Sequence, residues 1–342
     1  MKHVGYLSFG HWSTAPYSAA RTGADSLLQA IELAEAAEEI GVDGAYFRVH
    51  HFARQHSSPF PLLAAIAART SRIEIGTAVI DMRYESPLNA AEEAAATDLI
   101  SGGRLQLGMS RGSPSDAIDG FRYFGHVPDD DDPLGERMAR NGFELFLQAI
   151  QGARFAEPTP RLGSPGPEPG PLGVEPQSPG LRERIWWGAA SQRTAEWAAE
   201  AGVNLQSSTL VAYESDEPFH VQQRKQIEAY REAWRNAGHE REPRVSVSRS
   251  IFALVNDQDR QYFGGGRSGG DQVGAIPDIG AAISGGSYTG SPEQLVTELA
   301  NDEAIQAADT LLLTIPSQLG VSYLQGQLRS VIEYVAKPLG WK

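Results

Sequence analysis

Strand-like segments alternate with helix-like segments about eight times along the 342 residues. This alternation predicts a single (β/α)8 TIM barrel with insertions, spanning residues 1–342. Strands that are separated by helices pair in parallel, and eight units of about 40 residues match a closed barrel. An open doubly wound sheet is the alternative, but it commonly splits into two domains, and no linker-like stretch divides this chain.

The first half of the chain gives the clearer elements. A strand at 4–9 precedes a helix from Asp25, which we expect to end at Gly41 because glycine tolerates the left-handed conformation. Apolar and β-branched runs predict the later strands, and apolar residues at helical spacing predict the helices. These elements are a strand at 44–49, a helix at 60–70, a strand at 73–80, a helix at 89–100 and a strand at 105–109.

The second half repeats the alternation less regularly. A Pro/Gly-rich insertion at about 157–183 is predicted to be a surface excursion, because proline and glycine do not sustain a helix. The other predicted elements are a helix at 136–151, a strand at 184–188, a helix at 194–201, a strand at 203–206, a helix at 217–236, a strand at 244–255, a helix at 292–299, a strand at 310–315 and a helix at 322–336.

A second insertion, at about 256–290, is rich in glycine. We expect it to lack regular structure and to act as an active-site lid, with an ordinary surface loop as the alternative. Its Gly264–Gly269 segment fits the dinucleotide pattern G-x-G-x-x-G. That pattern needs a strand directly before it and a helix starting at its last glycine, and neither is predicted, so we do not favour dinucleotide binding.

Composition excludes several function classes. The formal net charge is −14, from 29 Lys and Arg against 43 Asp and Glu, which disfavours a nucleic-acid partner. The chain has no cysteine, so disulfides, thiolate nucleophiles and iron–sulfur clusters are excluded. Neither a signal peptide nor an apolar run of membrane-spanning length is present, and we expect a cytoplasmic protein. The eight histidines lack metal-binding spacing, so no metal site is expected.

Candidate site residues follow the predicted strands, because TIM barrels carry their chemistry at the carboxyl ends of the strands. Ser191 and Thr194 lie where a helix begins, and hydroxyls beside unpaired N–H groups can bind phosphate. On local sequence alone, an ordinary N-cap at Ser191 is the stronger interpretation. Arg111 follows the fourth strand and could bind a phosphate or pair with a nearby carboxylate. One of His50 and His51 should face the barrel mouth as an acid, base or hydrogen-bond partner.

Four segments together carry a family resemblance. They are 37–52 (AEEIGVDGAYFRVHHF), 73–112 (IEIGTAVIDMRYESPLNAAEEAAATDLISGGRLQLGMSRG), 186–203 (WWGAASQRTAEWAAEAGV) and 290–299 (GSPEQLVTEL). In this order and at these places in the alternation, they resemble the bacterial luciferase-like, flavin-dependent monooxygenases. The resemblance implies a TIM barrel with FMN lying across the carboxyl ends of the strands.

The resemblance also implies roles for individual residues. His50 resembles the catalytic histidine of the family, and a non-proline cis peptide is expected at Ala78–Val79, against the flavin ring. The implied cofactor-binding residues are Thr77, Ala78, Val79, Glu92, Met109, Arg111, Ala190, Ser191 and Thr194. The substrate pocket is expected to involve Phe9, His11 and Trp12, although Phe9 and Trp12 could instead be barrel packing. The family often has a carboxylate before its paired histidines, and luciferase has a reactive cysteine after the fourth strand. Val49 and Ser110 stand there in this chain, so light emission is not expected.

The implied reaction uses reduced FMN, supplied by a separate flavin reductase, and O2 to oxidise a small, partly apolar organic substrate. Two alternatives remain open at this stage. One is hydride transfer with a deazaflavin on the same barrel, and the other is a non-catalytic flavin-binding subunit. Membership of a family does not fix the reaction, because function depends on the site. The resemblance further implies a homodimer, for which the apolar faces of the early helices are candidates.

Overall fold

The computed structural model describes residues 1–112, 117–159, 170–265, 270–276 and 280–342. Eight parallel strands form its central sheet. In chain order they are β1 His3–Ser8, β2 Gly44–Phe47, β3 Glu74–Thr77, β4 Leu105–Ser110, β5 Ile185–Ala189, β6 Asn204–Ser207, β7 Val245–Arg249 and β8 Thr310–Ile315.

Helices follow the strands and cover the outside of the sheet. They are α1 Gly23–Ile40, α2 Pro59–Arg69, α3 Pro87–Ser101, α4 Glu136–Ile150, α5 Gln192–Glu200, α6 Phe219–Asn236, α7 Asp257–Phe263, α8 Pro292–Ala300, α9 Glu303–Ala307 and α10 Val321–Val331. A π-helical turn, Ile332–Ala336, continues α10. As predicted, α1 ends at Gly41, which has a φ of +89°. The short helix α9 was not anticipated.

The sheet closes into a barrel. β1 pairs with both β2 and β8, and β3 pairs with β4, with Ile75 opposite Leu105. The remaining neighbours run in the order β8, β7, β6, β5, β4. Every pairing among the eight is parallel, which confirms the predicted TIM barrel.

Side chains alternate between the two faces of each strand, and this alternation divides the core. Phe47 of β2 points outward into the large apolar layer between strands and helices. Tyr46, one residue earlier, lies inside the barrel with Leu7 of β1 and Leu312 of β8. This inner cluster fills the barrel below the carboxyl ends of the strands, and therefore forms the floor on which a site can be built.

Two predicted strands are interrupted in the structure. The strand expected at 73–80 stops at Thr77 and resumes only as Ile80–Asp81. The strand expected at 244–255 is split into β7 and Ile251–Ala253, and the second piece pairs with Tyr288–Gly290 outside the barrel. In both cases an apolar run outlasts the strand, because apolar side chains also occur in buried chain beyond the sheet.

The prediction that residues 256–290 lack regular structure is wrong. α7 begins there with Asn256 as its N-cap, whose side chain accepts a hydrogen bond from the Asp259 N–H. Strands Gln272–Ile276 and Gly280–Ser284 pair antiparallel, and the second also pairs with Leu210–Ala212. The prediction was based on the high glycine content of the segment, which does not indicate that its short strands pair with each other. Of the Gly264–Gly269 motif, residues 266–269 lie outside the described residues.

The other insertion, expected at about 157–183, is described only in part, and its end returns to the core, where Leu181 is fully buried. Strands Arg154–Ala156 and Leu172–Gly173 form an exposed antiparallel pair, while residues 160–169 lie outside the described part of the chain. Among the described residues, no helix is both long and apolar enough to cross a membrane.

Candidate functional site

A cavity of about 700 Å³ opens at the carboxyl ends of the barrel strands. Its lining combines an apolar floor, formed by Leu7 and Leu312, with polar and charged side chains from the loops above. Among the expected site residues, those that line it are Phe9, His50, Ala78, Val79, Arg111, Ala190, Ser191 and Thr194. The structure therefore brings eight of them to one place.

The beginning of α5 forms one end of this cavity. The Ser191 hydroxyl accepts a hydrogen bond from the Thr194 N–H at 3.3 Å and donates one to the Thr194 hydroxyl at 3.0 Å. Ser191 is thus an N-cap, and both hydroxyls also line the cavity. Capping and ligand binding are compatible here, because the first N–H groups of the helix remain available to an anion.

Arg111 lies beside this helix end on the loop after β4. Its side chain lines the cavity, and its positive charge also acts on the buried Asp81 carboxylate behind the wall. Two further arginines of the rim, Arg140 and Arg193, contact Glu136 at 2.9 and 3.2 Å. An arginine, two hydroxyls and a helix N-terminus are together a donor set that suits a phosphate.

A tight turn holds Arg111 in position. Gly112 has a φ of +89°, and a Cβ at this position would lie 2.0 Å from Asp81 Oδ2. Asp81 is itself paired with Arg83 at 2.7 Å, with both side chains almost fully buried. Burial raises the pKa of Asp81, and the Arg83 guanidinium opposes this shift. The backbone can therefore pass close to this ion pair only because residue 112 is a glycine.

The end of β3 forms the middle of the cavity wall. Ala78 and Val79 line it, and the peptide bond between them is cis, as the resemblance implied. Thr77 does not reach the cavity: it is fully buried, and its hydroxyl bonds with the Gly108 carbonyl and N–H. Met109 is also fully buried. The expectation that Thr77 and Met109 contact a ligand through their side chains is thus corrected.

Both histidines after β2 line the cavity. We expected only one to do so, but β2 ends at Phe47, so strand alternation no longer applies to residues 50 and 51. The His50 N–H donates to the His56 carbonyl at 2.9 Å. The His51 ring stacks on Tyr84 with ring centroids 4.3 Å apart, and burial lowers its pKa. His50 is thus the histidine whose backbone is fixed by the loop behind it.

His56 anchors that loop to the barrel. Its Nε2 lies 2.9 Å from the Ser26 hydroxyl, which donates to the Gly10 carbonyl at 2.8 Å. Because the Ser26 hydrogen is used by Gly10, His56 Nε2 must be the donor to Ser26. Gly10 has a φ of +61°, and a Cβ there would lie 2.4 Å from the His56 ring. The imidazole is therefore packed against the backbone, buried and neutral.

This burial predicts a pH dependence of stability. Burial lowers the pKa of His56 to about 4, against about 6.5 in an unfolded chain. As the pH falls below 6.5, the unfolded chain binds a proton that the folded protein excludes, so stability falls until the pH reaches about 4. The expected contribution is up to about 3 kcal/mol.

Guanidinium unfolding between pH 4 and pH 7 measures this dependence. The variant His56→Asn keeps an amide donor for Ser26. Its free energy of unfolding should fall less steeply with decreasing pH, because unfolding then takes up as much as one proton fewer. Parallel curves for the variant and the unsubstituted protein would show that His56 does not titrate in this way.

Three expected site residues lie elsewhere. Glu92 is exposed on α3, so the expectation that it lies near a flavin in this cavity is corrected. His11 stacks on Phe9 with centroids 5.7 Å apart but does not line the cavity. Trp12 lies beside Gly23 at the start of α1 and is not among the residues that line the cavity. Of the three residues expected in the substrate pocket, only Phe9 lines the cavity.

Several lining residues were not anticipated. The most important are Arg48, directly after β2, Gln206 of β6, and Ser246 and Ser248 of β7. The signal for Arg48 was in the sequence: it is two residues after the inward-facing Tyr46, so strand alternation directs it inward as well. The serines and the glutamine gave no such signal, because hydroxyl and amide side chains occur in many strands.

Comparison with known proteins identifies the family. The sequence profile described as luciferase-like monooxygenase matches residues 3–262, which is about three-quarters of the chain. The chain belongs to the luciferase-like monooxygenase family.

Proteins that are similar to this chain in sequence or in fold have several activities. The oxygenase component of a flavin-dependent trigonelline monooxygenase from Acinetobacter baylyi is 29% identical over 53% of this chain and 48% of its own length. The oxygenating constituent of 3,6-diketocamphane monooxygenase from Pseudomonas putida, solved with FMN, matches with a TM-score of 0.68, 16% identity and 98% coverage of both chains. The coenzyme F420-dependent tetrahydromethanopterin reductase from Methanopyrus kandleri matches with a TM-score of 0.63, 16% identity and 99% coverage of both chains.

These comparisons show which properties of the chain follow from its family membership. The chain spans about half the length of the curated relatives it matches. The two solved structures share the fold at identities too low to carry an activity over. The luciferase-like barrel is therefore established, while cofactor, substrate and partners depend on the site.

Proposed function

We propose that this protein is a flavin-dependent monooxygenase that uses reduced FMN and O2 to oxidise a small organic substrate. The observation that carries the proposal is the donor set at one end of the cavity. Arg111, Ser191 and Thr194 suit a phosphate, and they adjoin a cavity large enough for a flavin ring and a substrate. The flavin-dependent relative from Acinetobacter baylyi supports the same cofactor class.

The residues present fit FMN. Its phosphate would be held by Arg111 and the start of α5, and its ring would lie towards Ala78 and Val79. When bound, the cofactor supplies the activation of O2. The protein itself would bind and orient the reactants. His50 lines the cavity, where it would act as a hydrogen-bond partner of the reacting groups.

One experiment decides among the proposed cofactors. Purified protein is titrated anaerobically with photoreduced FMN and, separately, with reduced deazaflavin, before air is admitted. Tight binding of FMN, followed by substrate-dependent oxygen uptake, would support the monooxygenase. Selective binding of the deazaflavin would move the assignment to hydride transfer, the activity class to which the F420-dependent relative points. Binding of neither would remove the flavin proposal.

Replacing Arg111 with alanine should weaken FMN binding by about 10- to 100-fold. A charge-assisted phosphate contact contributes about 1.5–3 kcal/mol, and each 1.4 kcal/mol is tenfold in Kd. Isothermal titration with FMN and with riboflavin, which lacks the phosphate, measures the effect. Only FMN binding should change.

The matched control for this prediction is Arg69→Ala. Arg69 is exposed on α2 and pairs with Glu35 at 2.7 Å, away from the cavity. The Arg69→Ala variant should bind FMN and riboflavin with unchanged Kd. An unchanged Kd for FMN in Arg111→Ala, or an equal loss of affinity for riboflavin, would remove Arg111 from the phosphate site.

The partners follow from the same proposal. A separate reductase would supply the reduced flavin, in line with the relative that is named as an oxygenase component. A homodimer is supported by large exposed apolar side chains on the early helices, namely Leu27 and Leu28 on α1 and Leu99 and Ile100 on α3. Sedimentation velocity tests this assembly, and a monomer at micromolar concentration would contradict it.

A further inference from the structure

β3 has one residue more than β4 at the point where it reaches the cavity. Gly76 pairs with Gln106 and Ile80 pairs with Met109, which leaves three residues on one strand opposite two on the other. Such a bulge takes part of the chain out of the regular ladder. Within it lies the segment Ala78–Val79 (the wall segment), and both of its residues line the cavity.

The Thr77 hydroxyl takes the place of a backbone group at this bulge. If the parallel register of β3 and β4 continued, the Gly108 N–H would donate to the Thr77 carbonyl. It donates instead to the Thr77 hydroxyl at 3.0 Å, and the hydroxyl donates to the Gly108 carbonyl at 2.7 Å. On the β2 side the ladder persists, because the Ala78 N–H donates to the Phe47 carbonyl at 2.9 Å. The Thr77 carbonyl is thus released from the sheet, and a buried carbonyl needs another donor.

Gln206 of β6 supplies that donor from inside the barrel. Its buried side chain faces inward, since Leu205 before it belongs to the outer apolar layer. Its Nε2 donates to the Thr77 carbonyl at 3.0 Å. A carbonyl only accepts hydrogen bonds, so the amide nitrogen and not the amide oxygen must face Thr77. The hydrogen bond therefore joins β3 to β6, two strands that are separated by β4 and β5.

Two glycines on the intervening strands make room for this arrangement. A Cβ on Gly108 of β4 would lie 2.4 Å from both the Gln206 Oε1 and the Thr77 carbonyl oxygen. A Cβ on Gly188 of β5 would lie 3.1 Å from a methyl carbon of Val79. β4 and β5 thus lack side chains at the points where the amide and Val79 lie. The wall segment is therefore held in place from the barrel interior.

We propose that Gln206 is a positioning residue for the flavin: it holds the Thr77 carbonyl, and through it the wall segment, where the flavin ring packs. This inference rests on the proposed function, because it takes the wall segment as the side of the cavity that faces the ring. Arg111, by contrast, is proposed to contact the phosphate. Loss of Gln206 should therefore affect every ligand that contains the ring, with or without a phosphate.

Gln206→Met tests the inference, because methionine is unbranched and of similar length but has no N–H donor. Oxidised riboflavin and oxidised FMN should both bind about 3- to 10-fold more weakly, by the same factor, which is the effect of about one hydrogen bond. At saturating riboflavin, the visible circular dichroism of the bound flavin should also change, because the ring then packs against a displaced wall segment. Arg111→Ala should weaken FMN alone.

The matched control is Gln327→Met. Gln327 is a buried glutamine of α10 that also donates to a backbone carbonyl, that of Ala253, at 3.1 Å. It is not among the described residues that line the cavity. Because it donates to Asp259 as well, its loss should cost at least as much stability as the loss of Gln206. Riboflavin affinity and circular dichroism should stay unchanged, and equal flavin effects in both variants would overturn the inference.

Thr77→Val tests the same contact from the other strand, and it does so even if Gln206→Met fails to fold. Without the hydroxyl, the Gly108 N–H can return to the carbonyl of residue 77, which then no longer needs Gln206. Riboflavin and FMN should again weaken equally, with a changed circular dichroism. Adding Gln206→Met should cause little further loss, whereas the effects of independent residues add. Full additivity, or unchanged binding in Thr77→Val, would overturn the inference.

The inference and the proposed function fail in different ways. Normal flavin binding by the unsubstituted protein, with unchanged affinity and circular dichroism in Gln206→Met, would overturn the role of Gln206 alone. Selective binding of a deazaflavin that Gln206→Met weakens would remove the monooxygenase and retain Gln206 as the positioning residue. Binding of neither flavin nor deazaflavin would overturn both.

Discussion

Replacing Asp302 with alanine is expected to lower the free energy of unfolding by about 3–5 kcal/mol, the cost of leaving a buried partner charge uncompensated. The Asp302 carboxylate contacts Arg249 at 2.7 and 3.1 Å, and both side chains are almost completely buried. Burial acts to raise the pKa of Asp302, but the Arg249 guanidinium and the hydrogen bonds outweigh it, and the pKa is lowered. The carboxylate is therefore charged in the folded protein.

The same carboxylate joins three parts of the fold. It accepts hydrogen bonds from the Tyr288 hydroxyl at 2.8 Å and from the Ile305 N–H at the start of α9. Its partner Arg249 ends β7 and also donates to the Ser248 carbonyl, next to the cavity. Loss of Asp302 thus removes a helix cap and leaves a buried cation beside the strand that carries Ser246 and Ser248.

Guanidinium unfolding of Asp302→Ala measures this effect, and Asp257→Ala is the matched control. Asp257 is also paired with an arginine, Arg260, at 3.1 Å, but its side chain is fully exposed. Exposed pairs contribute little, so the control should change stability by less than about 1 kcal/mol. A similar small loss in both variants would mean that water or a rearranged side chain compensates Arg249.

The alternation of strands and helices allowed the barrel to be predicted, because its signal is repeated along the whole chain. The last strand was predicted with its observed bounds, Thr310–Ile315. Segments outside the barrel were harder. The paired strands Gln272–Ile276 and Gly280–Ser284 contain alanines and glycines rather than β-branched runs, so their pairing depends on each other and on Leu210–Ala212. Contacts that are distant in sequence leave little local signal.

The expected site residues also fall into two groups, those that line the cavity and those that do not. Residues placed by backbone position, such as Arg111 and Ser191, reach the cavity, because loops after parallel strands must meet at one end of the barrel. Glu92 was placed by resemblance alone. In the first half of α3 the buried face consists of Ala90, Ala91, Ala94 and Ala95, so the helix turns Glu92 outward. The small residues of this face were visible in the sequence, and helical spacing applied to them would have corrected the assignment.

Replacing His50 with alanine is expected to reduce substrate oxidation by about 100- to 10,000-fold, the usual range for a positioned acid–base group. His50 lines the cavity, and its backbone is fixed by the hydrogen bond from its N–H to the His56 carbonyl. The loop is therefore positioned by backbone contacts and by the His56 anchor. Removing the imidazole should leave the loop and the proposed phosphate end intact, so the Kd for FMN should change less than about threefold.

The measurement is product formation in a reductase-coupled assay, with FMN affinity determined on the same preparations. His3→Ala is the matched control, because His3 is exposed at the start of β1, at the opposite end of the strand from the cavity. It should affect neither quantity. Loss of FMN affinity in His50→Ala in proportion to activity would make His50 a binding residue. An unchanged rate would leave His51, whose ring lies against Tyr84 in the same wall, as the histidine that can act on the substrate. A large loss of rate at constant FMN affinity is the result expected if the His50 imidazole acts directly in the reaction.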